Sequence, residues 1–208
     1  NSIVSREGAE LSHVYEVGNI LMDTLRFNHN RLQRPAVMDD LKLENGKYIV
    51  FTLNRKALIA DKENLGNMIY AMNKAAGNTP IIAVLRNNAK EVVSQLTADM
   101  ADIHIIDSLP YLEFGYLTAH AMGIITDSGN VAEEATFNNL PCITLNSYTE
   151  HIETVKQGSN ILVGEDADKL EAAIKDMTGN NWKKCSLPDR WDGRTAERIV
   201  HILLNMPG

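Results

Sequence analysis

Short, continuous apolar runs recur along the middle of the chain and alternate with longer amphipathic stretches. The runs are rich in β-branched residues, a pattern typical of strands that are buried on both faces of a parallel sheet. Six runs have this character: KYIVFTL (47–53), PIIAVL (80–85), DIHIID (102–107), MGIITD (122–127), PCITLN (141–146) and NILVG (160–164).

The stretches between these runs have apolar residues at helical spacing. In the stretch 61–77, Leu65, Met68 and Met72 fall on one face, and Gly77 is suited to end the helix. Because strands and helices alternate, we expect βαβ units with right-handed crossovers. The predicted fold is a Rossmann-like α/β domain with a doubly wound parallel sheet of about six or seven strands. Further helices are predicted at 88–100, 110–121, 166–179 and 193–206.

The stretch 12–27 precedes this alternation and is interpreted as a first strand, a Gly-Asn turn and a helix. No low-complexity tract or linker interrupts the chain, so one domain covering 1–208 is the simplest interpretation. The chain begins with Asn1 rather than Met. We therefore interpret it as part of a longer protein.

Composition narrows the class of protein. Apolar residues make up 44% of the chain, enough to bury a core, and the net charge of −7 comes without a basic patch. We therefore expect neither nucleic acid nor a membrane as a partner, since no apolar run is long enough to span a bilayer. The only cysteines, Cys142 and Cys185, predict no disulfide framework, no metal site and a cytoplasmic location. No cofactor is expected.

The stretch TDSGNVAEE (126–134) joins a predicted strand to a predicted helix. In open parallel sheets ligands bind at such carboxyl ends, and helix N-termini favour phosphate. Gly129 would allow close approach of a ligand, and a glutamate could accept hydrogen bonds from ribose hydroxyls. These features favour a nucleotide or nucleotide sugar. The alternative is structural, because Asn130 and Glu133 are spaced like a capping box that simply starts a helix.

Two other loops carry candidate chemistry. Arg55 and Lys56 follow a predicted strand and could bind phosphate, or they could form a solvated basic turn. His151 could act as an acid or base, or it could be structural; Thr149 before it is a candidate helix N-cap.

Five stretches together resemble the C-terminal half of the UDP-N-acetylglucosamine 2-epimerases. The DSGNVAEEA segment is similar to the family pattern DSGG-x-x-EEA, and TLNRKALIADKEN is similar to T-x-H-R-R-E-N. The order and spacing of the stretches make the resemblance specific. The stretches are REGAELSHVYEVGNILMDTL (6–25), TLNRKALIADKENLGN (52–67), DSLPYLEFGYLTAHAMGIITDSGNVAEEATFNNLPCITL (107–145), YTEHIETVKQGSNILVG (148–164) and DGRTAERIVHIL (192–203).

The resemblance implies a fold, a reaction and a set of binding residues. The fold would be one half of a GT-B arrangement, in which two Rossmann-like domains face each other across a cleft. The reaction would interconvert UDP-GlcNAc and UDP-ManNAc by elimination and re-addition of UDP, for cell-surface polysaccharide synthesis. Ser128 and the Gly129 backbone would hold the UDP phosphates, and Glu134 the ribose. Arg55 would lie near the nucleotide and Phe114 by the uracil.

The chain departs from the family pattern at positions that face the sugar. Asn54 stands where the pattern has a histidine tied to catalysis, and Asn cannot transfer a proton as imidazole does. Asn130, also a candidate for substrate binding, replaces the second glycine of DSGG. His151 and Ile152 replace Arg-Pro. A different sugar or altered chemistry is therefore expected.

The resemblance also implies partners and leaves rival functions open. The acids that handle protons would belong to an N-terminal partner domain that is absent from this chain, and family members are commonly homodimers. The fragment alone is expected to be inactive. Two alternatives remain: a domain of a GT-B glycosyltransferase, and a non-catalytic UDP-sugar-binding module.

Overall fold

The structure, a computed structural model, describes residue 4, residues 6–8 and residues 10–207. The chain divides into two compact units. The larger comprises Arg31–Pro188, and the smaller is built from the first 30 residues together with 189–208. Among the described residues, no helix is long and apolar enough to cross a membrane.

A fully parallel six-stranded sheet forms the centre of the larger unit. All six apolar runs of the sequence are confirmed as strands. Their order across the sheet is β3-β2-β1-β4-β5-β6, the doubly wound order of dinucleotide-binding folds. The strands are β1 (Ile49–Phe51), β2 (Ile81–Val84), β3 (Ile103–Ile106), β4 (Gly123–Thr126), β5 (Cys142–Thr144) and β6 (Asn160–Leu162).

Helices connect the strands, and those predicted from the apolar periodicity are confirmed with small shifts of their ends. The predicted helix at 61–77 covers Lys62–Ala76 and ends at Gly77, whose φ is +59°. The described helices are α1 (Ile20–Asn28), α2 (Val37–Asp40), α3 (Lys56–Ala60), α4 (Lys62–Ala76), α5 (Asn87–Leu96), α6 (Tyr111–Ala119), α7 (Gly129–Phe137), α8 (Ile152–Lys156), α9 (Ala167–Thr178) and α10 (Thr195–Leu204), with 3₁₀ turns at Leu11–His13 and His29–Arg31.

Both faces of the sheet are buried, which explains why the strands read as continuous apolar runs. Ile49 and Phe51 of β1 pack into one core cluster together with Leu65 of α4. Val50 between them packs into the opposite cluster together with Leu117 of α6. Alternate residues of one strand therefore contribute to two cores, as the pleat of a strand requires.

The chain reverses its direction of winding between β1 and β4, which are neighbours in the sheet. Ligands of doubly wound proteins bind outside the carboxyl ends of the strands at such a switch point. Here Thr52 directly follows β1 and Thr126 ends β4, and their hydroxyl oxygens lie 2.7 Å apart. The loops that follow these two threonines form the candidate site.

The predicted first strand within 12–27 is wrong. The structure has a 3₁₀ turn at Leu11–His13, no strand in the described residues 14–19, and α1 from Ile20. The helix begins there because the side chain of Asn19 accepts a hydrogen bond from the N–H of Leu21 at 3.0 Å. Among the described residues of the smaller unit, there is no strand with which this segment could pair.

Candidate functional site

A cleft of about 530 Å³ lies at the carboxyl ends of the central strands of the larger unit. Its volume is in the range of small-molecule sites. The cleft brings together five residues that the sequence associated with binding or catalysis: Asn54, Arg55, Ser128, Gly129 and His151. The remaining lining residues are Asp127, Ala132, Thr144, Asn146, Tyr148, Thr149 and Glu150.

Asp127 joins the loop after β1 to the loop after β4. Its Oδ2 accepts hydrogen bonds from the backbone N–H groups of Asn54 at 2.8 Å and Arg55 at 2.6 Å. Hydrogen bonds to a charged group contribute about 1.5–3 kcal/mol when protected from water. The bond from Arg55 is half-buried and the bond from Asn54 is exposed, so each contributes at or below the lower end of this range. The carboxylate therefore sets the course of the β1 loop.

The guanidinium of Arg55 is bound by protein side chains and is not simply solvated, as the alternative of a basic surface turn would require. It donates a hydrogen bond to Oδ1 of Asn146 at 2.6 Å and pairs with the carboxylate of Glu165. Among the described atoms, Nε of Arg55 and Oδ1 of Asp127 are buried without a hydrogen-bond partner. Buried polar groups are nearly always satisfied, so these two atoms mark an incomplete polar network within the cleft.

Helix α7 begins at the cleft, and Ser128 is its N-cap. The Ser128 backbone is extended, and its Oγ accepts a hydrogen bond from the N–H of Val131 at 3.4 Å. The alternative of a capping box with Asn130 as N-cap is therefore wrong, because the chain already turns helical at Gly129. Asn130 is exposed in the first turn and is not among the residues that line the cleft.

The imidazole of His151 lies against the start of α7. A Cβ added to Gly129 would lie 2.8 Å from Cδ2 and 3.1 Å from Nε2 of this ring. The close approach expected at Gly129 is thus made by a side chain of the protein itself. Nδ1 of His151 pairs with the carboxylate of Glu133, which is only 4% exposed. Thr149 is not a helix N-cap: its Oγ1 accepts the N–H of His151, and α8 begins at Ile152.

A smaller cavity of about 180 Å³ adjoins the cleft, since Asn54 and Ser128 line both. Phe114 of α6, half-buried against the core, and Val131 of α7 also line it. Glu134 follows Val131 by three residues and so lies on the same side of α7. Burial, with a smaller contribution from the adjacent Glu133, raises the pKa of Glu134 to about 7.

Sequence reasoning missed the residues that organise the loop after β1. Asp127 had a detectable signal, because an acid at the carboxyl end of a central strand faces the neighbouring loop. Asn146 and Glu165 had none, since they lie 91 and 110 residues from the arginine that they hold. Among the described residues, no group of three or more His, Cys, Asp or Glu side chains could hold a metal ion.

The chain is similar to known proteins of one family. The UDP-N-acetylglucosamine 2-epimerase family matches residues 2–204. The UDP-N-acetylglucosamine 2-epimerase of Methanocaldococcus jannaschii is 33% identical over 211 residues, which cover 95% of this chain and 56% of that protein. The UDP-2,3-diacetamido-2,3-dideoxy-D-glucuronate 2-epimerase of Pseudomonas aeruginosa is 29% identical over 179 residues, 85% of this chain and 49% of that protein.

A solved structure gives the same result at the level of the fold. The M. jannaschii UDP-GlcNAc 2-epimerase in complex with UDP-GlcNAc and UDP matches with a TM-score of 0.76 and 31% identity, over 99% of this chain and 58% of that one. The chain spans about half the length of the relatives it matches, and its fold is that of the C-terminal half of these GT-B-type proteins. The chain therefore belongs to the UDP-N-acetylglucosamine 2-epimerase family.

Proposed function

We propose that this chain is the nucleotide-binding half of a UDP-sugar 2-epimerase that interconverts UDP-GlcNAc and UDP-ManNAc by elimination and re-addition of UDP. The observation that carries the proposal is the cleft at the switch point, where Arg55, Ser128 and Gly129 converge as the family pattern implies. The similar M. jannaschii enzyme was solved with UDP-GlcNAc and UDP, which supports the choice of ligand.

The diphosphate of the UDP group lies, in this proposal, against the N-terminus of α7. The positive end of the helix dipole favours an anion there, and Ser128 caps the helix without filling the cleft. The Arg55 side chain contributes a donor, because its buried Nε has no hydrogen-bond partner among the described atoms. The N-cap role of Ser128 and its role toward phosphate are compatible, since a hydroxyl has both acceptor and donor capacity.

The uridine lies, in this proposal, over the smaller cavity. Phe114, which lines this cavity, offers an aromatic face to the uracil. Glu134 is in the lining of neither cavity, but it lies three residues after Val131 on the same side of α7, from where it accepts hydrogen bonds from the ribose hydroxyls. The geometry favours no contact between Asn130 and the nucleotide, since Asn130 is exposed.

The sugar and the proton-transferring acids meet in the full protein, where we propose that a preceding domain closes the other side of the cleft. Water must be excluded for a reactive glycal intermediate to be retained, and a one-walled cleft does not exclude it. The fact that the chain spans about half of its relatives supports this proposal. We also propose a homodimer and a role in polysaccharide precursor synthesis. Because both cysteines are free thiols, we propose a reducing cytoplasmic location.

The experiment is a proton NMR assay in D₂O of the full-length protein with UDP-GlcNAc. Inversion at C2 by loss and return of a proton exchanges that hydrogen, so deuterium should enter C2 as UDP-ManNAc forms. Residues 1–208 alone should bind UDP but give no exchange. Turnover by this fragment would show that the chemistry lies within it, and failure of the full-length protein to bind UDP would contradict the proposal.

Asn54 favours a second candidate function, a non-catalytic UDP-sugar-binding module. Asn54 lines the cleft with an exposed side chain at the position of a catalytic histidine in the family pattern. A missing general acid or base typically lowers the rate by ~10²–10⁴-fold. If Asn54→His creates epimerase activity in an otherwise inactive full-length protein that binds UDP-GlcNAc, the natural protein is a binding module.

A further inference from the structure

Asn160, the first residue of β6, is a polar side chain enclosed in the interior of the larger unit. The residue is 0% exposed, although asparagine is found mostly at protein surfaces and is depleted in strands. Its Oδ1 accepts a hydrogen bond from Oγ1 of Thr144 at 2.6 Å, and its Nδ2 donates to Oγ1 of Thr154 at 3.2 Å. The amide of one side chain thus joins β5 to α8.

Both partners of Asn160 lead to the cleft. Thr144 ends β5 and is itself a lining residue. The hydroxyl of Thr154 donates to the backbone carbonyl of His151 at 2.7 Å, and the N–H of Thr154 donates to the same carbonyl at 3.0 Å. His151 is the last of four consecutive lining residues, 148–151. A chain of hydrogen bonds therefore runs from Thr144 through Asn160 to the end of this lining loop.

We propose that Asn160 is a positioning residue of the nucleotide site: through Thr154 it fixes the backbone of the 148–151 loop relative to β5. The inference rests on the proposed function, which supplies UDP as the ligand. Asn160 makes no contact with the ligand in this proposal, since it is enclosed and is not among the residues that line the cleft. Its effect on binding is transmitted by the loop.

The shortness of α8 makes such an anchor necessary. The helix has five residues, and in the described structure the side chain of its N-cap residue, His151, makes no capping hydrogen bond. Helices shorter than about 12 residues are marginal by themselves, so the position of α8 depends on contacts with the rest of the fold. Asn160 holds Thr154, and the ammonium of Lys183 donates to the carbonyls of Val155 and Asn160, both at 2.6 Å. Two side chains thus attach the helix to the start of β6.

The chain that leads into β6 is itself tightly held between α7 and α8. The N–H of Ser159 donates to Oγ1 of Thr136 in α7 at 3.3 Å. A Cβ added to Gly158 would lie 2.5 Å from this oxygen and 2.8 Å from the carbonyl oxygen of Thr154 in α8, so only glycine fits here. Because the backbone before Asn160 is fixed in this way, its amide is presented to Thr154 in one position.

A role in stability alone does not require an asparagine at this position. Replacing buried hydrogen-bonded groups by apolar groups of the same shape is often nearly neutral, and the next residues of β6, Ile161 and Leu162, are apolar. A satisfied polar network instead restricts its members to one arrangement, because each lost bond would leave a buried group unpaired. Thr144, Asn160 and Thr154, each at most 2% exposed, form such a network.

The test is calorimetry of UDP binding to the full-length protein. Thr154→Val keeps the shape of the side chain but removes the hydroxyl, so UDP affinity should fall about fivefold, as for the loss of one protected hydrogen bond. Thr154→Ser keeps the hydroxyl and should bind UDP as tightly as the wild type. Asn160→Leu removes the amide at similar volume and should also lower the affinity about fivefold. Because both losses act through one loop, the double variant Asn160→Leu/Thr154→Val should lose far less than the product of the two single effects.

Thr97→Val is the matched control. Thr97 is buried at the end of α5, and its Oγ1 donates to the backbone carbonyl of Val93 at 2.8 Å, a bond of the same kind as that from Thr154 to His151. This variant should lose stability but keep the wild-type affinity for UDP. Thermal unfolding establishes that each variant is folded at the temperature of the calorimetry, and the two Thr154 variants decide the result if Asn160→Leu does not fold.

A measurement without ligand addresses the loop directly. In NMR relaxation experiments on the backbone amides, the order parameters of 148–151 should fall in Thr154→Val and in Asn160→Leu. They should stay at the wild-type level in Thr154→Ser and in Thr97→Val. A purely structural role of the network would not separate these two groups of variants.

The outcomes separate this inference from the function on which it rests. If the wild-type protein binds UDP, and Thr154→Val and Asn160→Leu bind it equally well, the inference is wrong and the proposed function stands. If Thr97→Val weakens UDP binding as much as Thr154→Val does, the affinity follows overall stability and the inference is likewise wrong. If Thr154→Val weakens binding and a folded Asn160→Leu does not, Thr154 acts without Asn160, which also overturns the inference. If the wild-type protein binds no UDP, both the function and the inference are overturned.

Discussion

The two loops at the switch point reach their conformations by different routes. The turn after β4 is locally determined: Ser128 caps α7 and Gly129 is the first helical residue, all within three positions of the strand end. The turn after β1 is determined from a distance, by Asp127, Asn146 and Glu165, which bind Arg55 or its backbone. A substitution in the turn after β4 should therefore have a local effect. A substitution of Asp127, Asn146 or Glu165 should change the turn after β1 and with it the shape of the cleft.

The largest effect is expected for Asp127→Ala. The N–H groups of Asn54 and Arg55 lose their charged acceptor, so we expect a loss of about 1–3 kcal/mol in the free energy of unfolding and at least a tenfold loss of UDP affinity. Urea denaturation and calorimetry would measure the two quantities. A variant that keeps full UDP affinity would contradict the view that Asp127 positions the β1 loop.

The pH dependence of stability should reveal Glu134. Its pKa in the folded protein is raised to about 7 from 4.5, so its favourable contribution is complete below about pH 4.5 and is lost as the pH rises through 7. Glu134→Gln should therefore be more stable than the wild type by about 1–3 kcal/mol at pH 8 and equally stable at pH 4. Thermal unfolding across this range, with the exposed Glu153→Gln as the control, would check the sign.

The same variant tests the ribose contact. Glu134→Gln keeps the size of the side chain but loses its charge and part of its acceptor capacity, so UDP affinity at pH 8 should fall roughly tenfold although stability rises. Calorimetry with UDP gives the value. If affinity and stability change in the same direction, Glu134 does not bind the ribose.

A smaller effect is expected for Ser128→Ala in the locally determined turn. Removal of an N-cap costs about 1 kcal/mol of stability. The course of the β1 loop should not change, so the amide resonances of Asn54 and Arg55 should stay in place while those of Val131 and its neighbours shift. Shifts in the β1 loop as large as those at α7 would show that Ser128 also influences the loop after β1.

The smallest change in stability is expected for Glu165→Gln. The ion pair with Arg55 is more than one-third exposed on both sides, at 36% and 39% of the side chains, and such pairs contribute less than about 1 kcal/mol. Without the charge of Glu165 the guanidinium, whose Nε is proposed to donate to the phosphate, is no longer neutralised, so UDP affinity should rise severalfold. Weaker UDP binding would mean that Glu165 holds Arg55 in its binding position rather than competing with the ligand.

The contrast between the two turns also explains how much the sequence could predict. Six strands and the long helices follow from apolar periodicity, because burial on both faces imposes a simple pattern on β1 and its neighbours. The helix start after β4 could be located from TDSGN, but the alternative with Asn130 as the cap placed it two residues too late. The Asn130 alternative failed because Asn130 matches the capping-box spacing to Glu133, whereas the actual cap, Ser128, has Val131 at that spacing and so lacks the glutamate of a capping box.

Contacts between distant residues were beyond reach of the sequence pattern. The pairing of Glu133 with His151 spans the end of α7, β5 and the start of α8, and no local spacing indicates it. The supposed strand within 12–27 failed for a related reason: its apolar residues fit a strand, but a strand also needs a partner, and pairing partners are not encoded locally.

The parallel arrangement of the strands has a practical consequence for protein engineering. Every residue proposed to touch the nucleotide lies at or beyond the carboxyl rim of the sheet, while the turns that lead into β1 and β2 lie at the opposite rim. Gly46 and Gly77, both with positive φ, occupy these turns, and nothing in the described structure lies within 4 Å of where a Cβ would be. A fluorescent label or affinity tag inserted beside either glycine would therefore lie on the side of the sheet opposite the proposed nucleotide site.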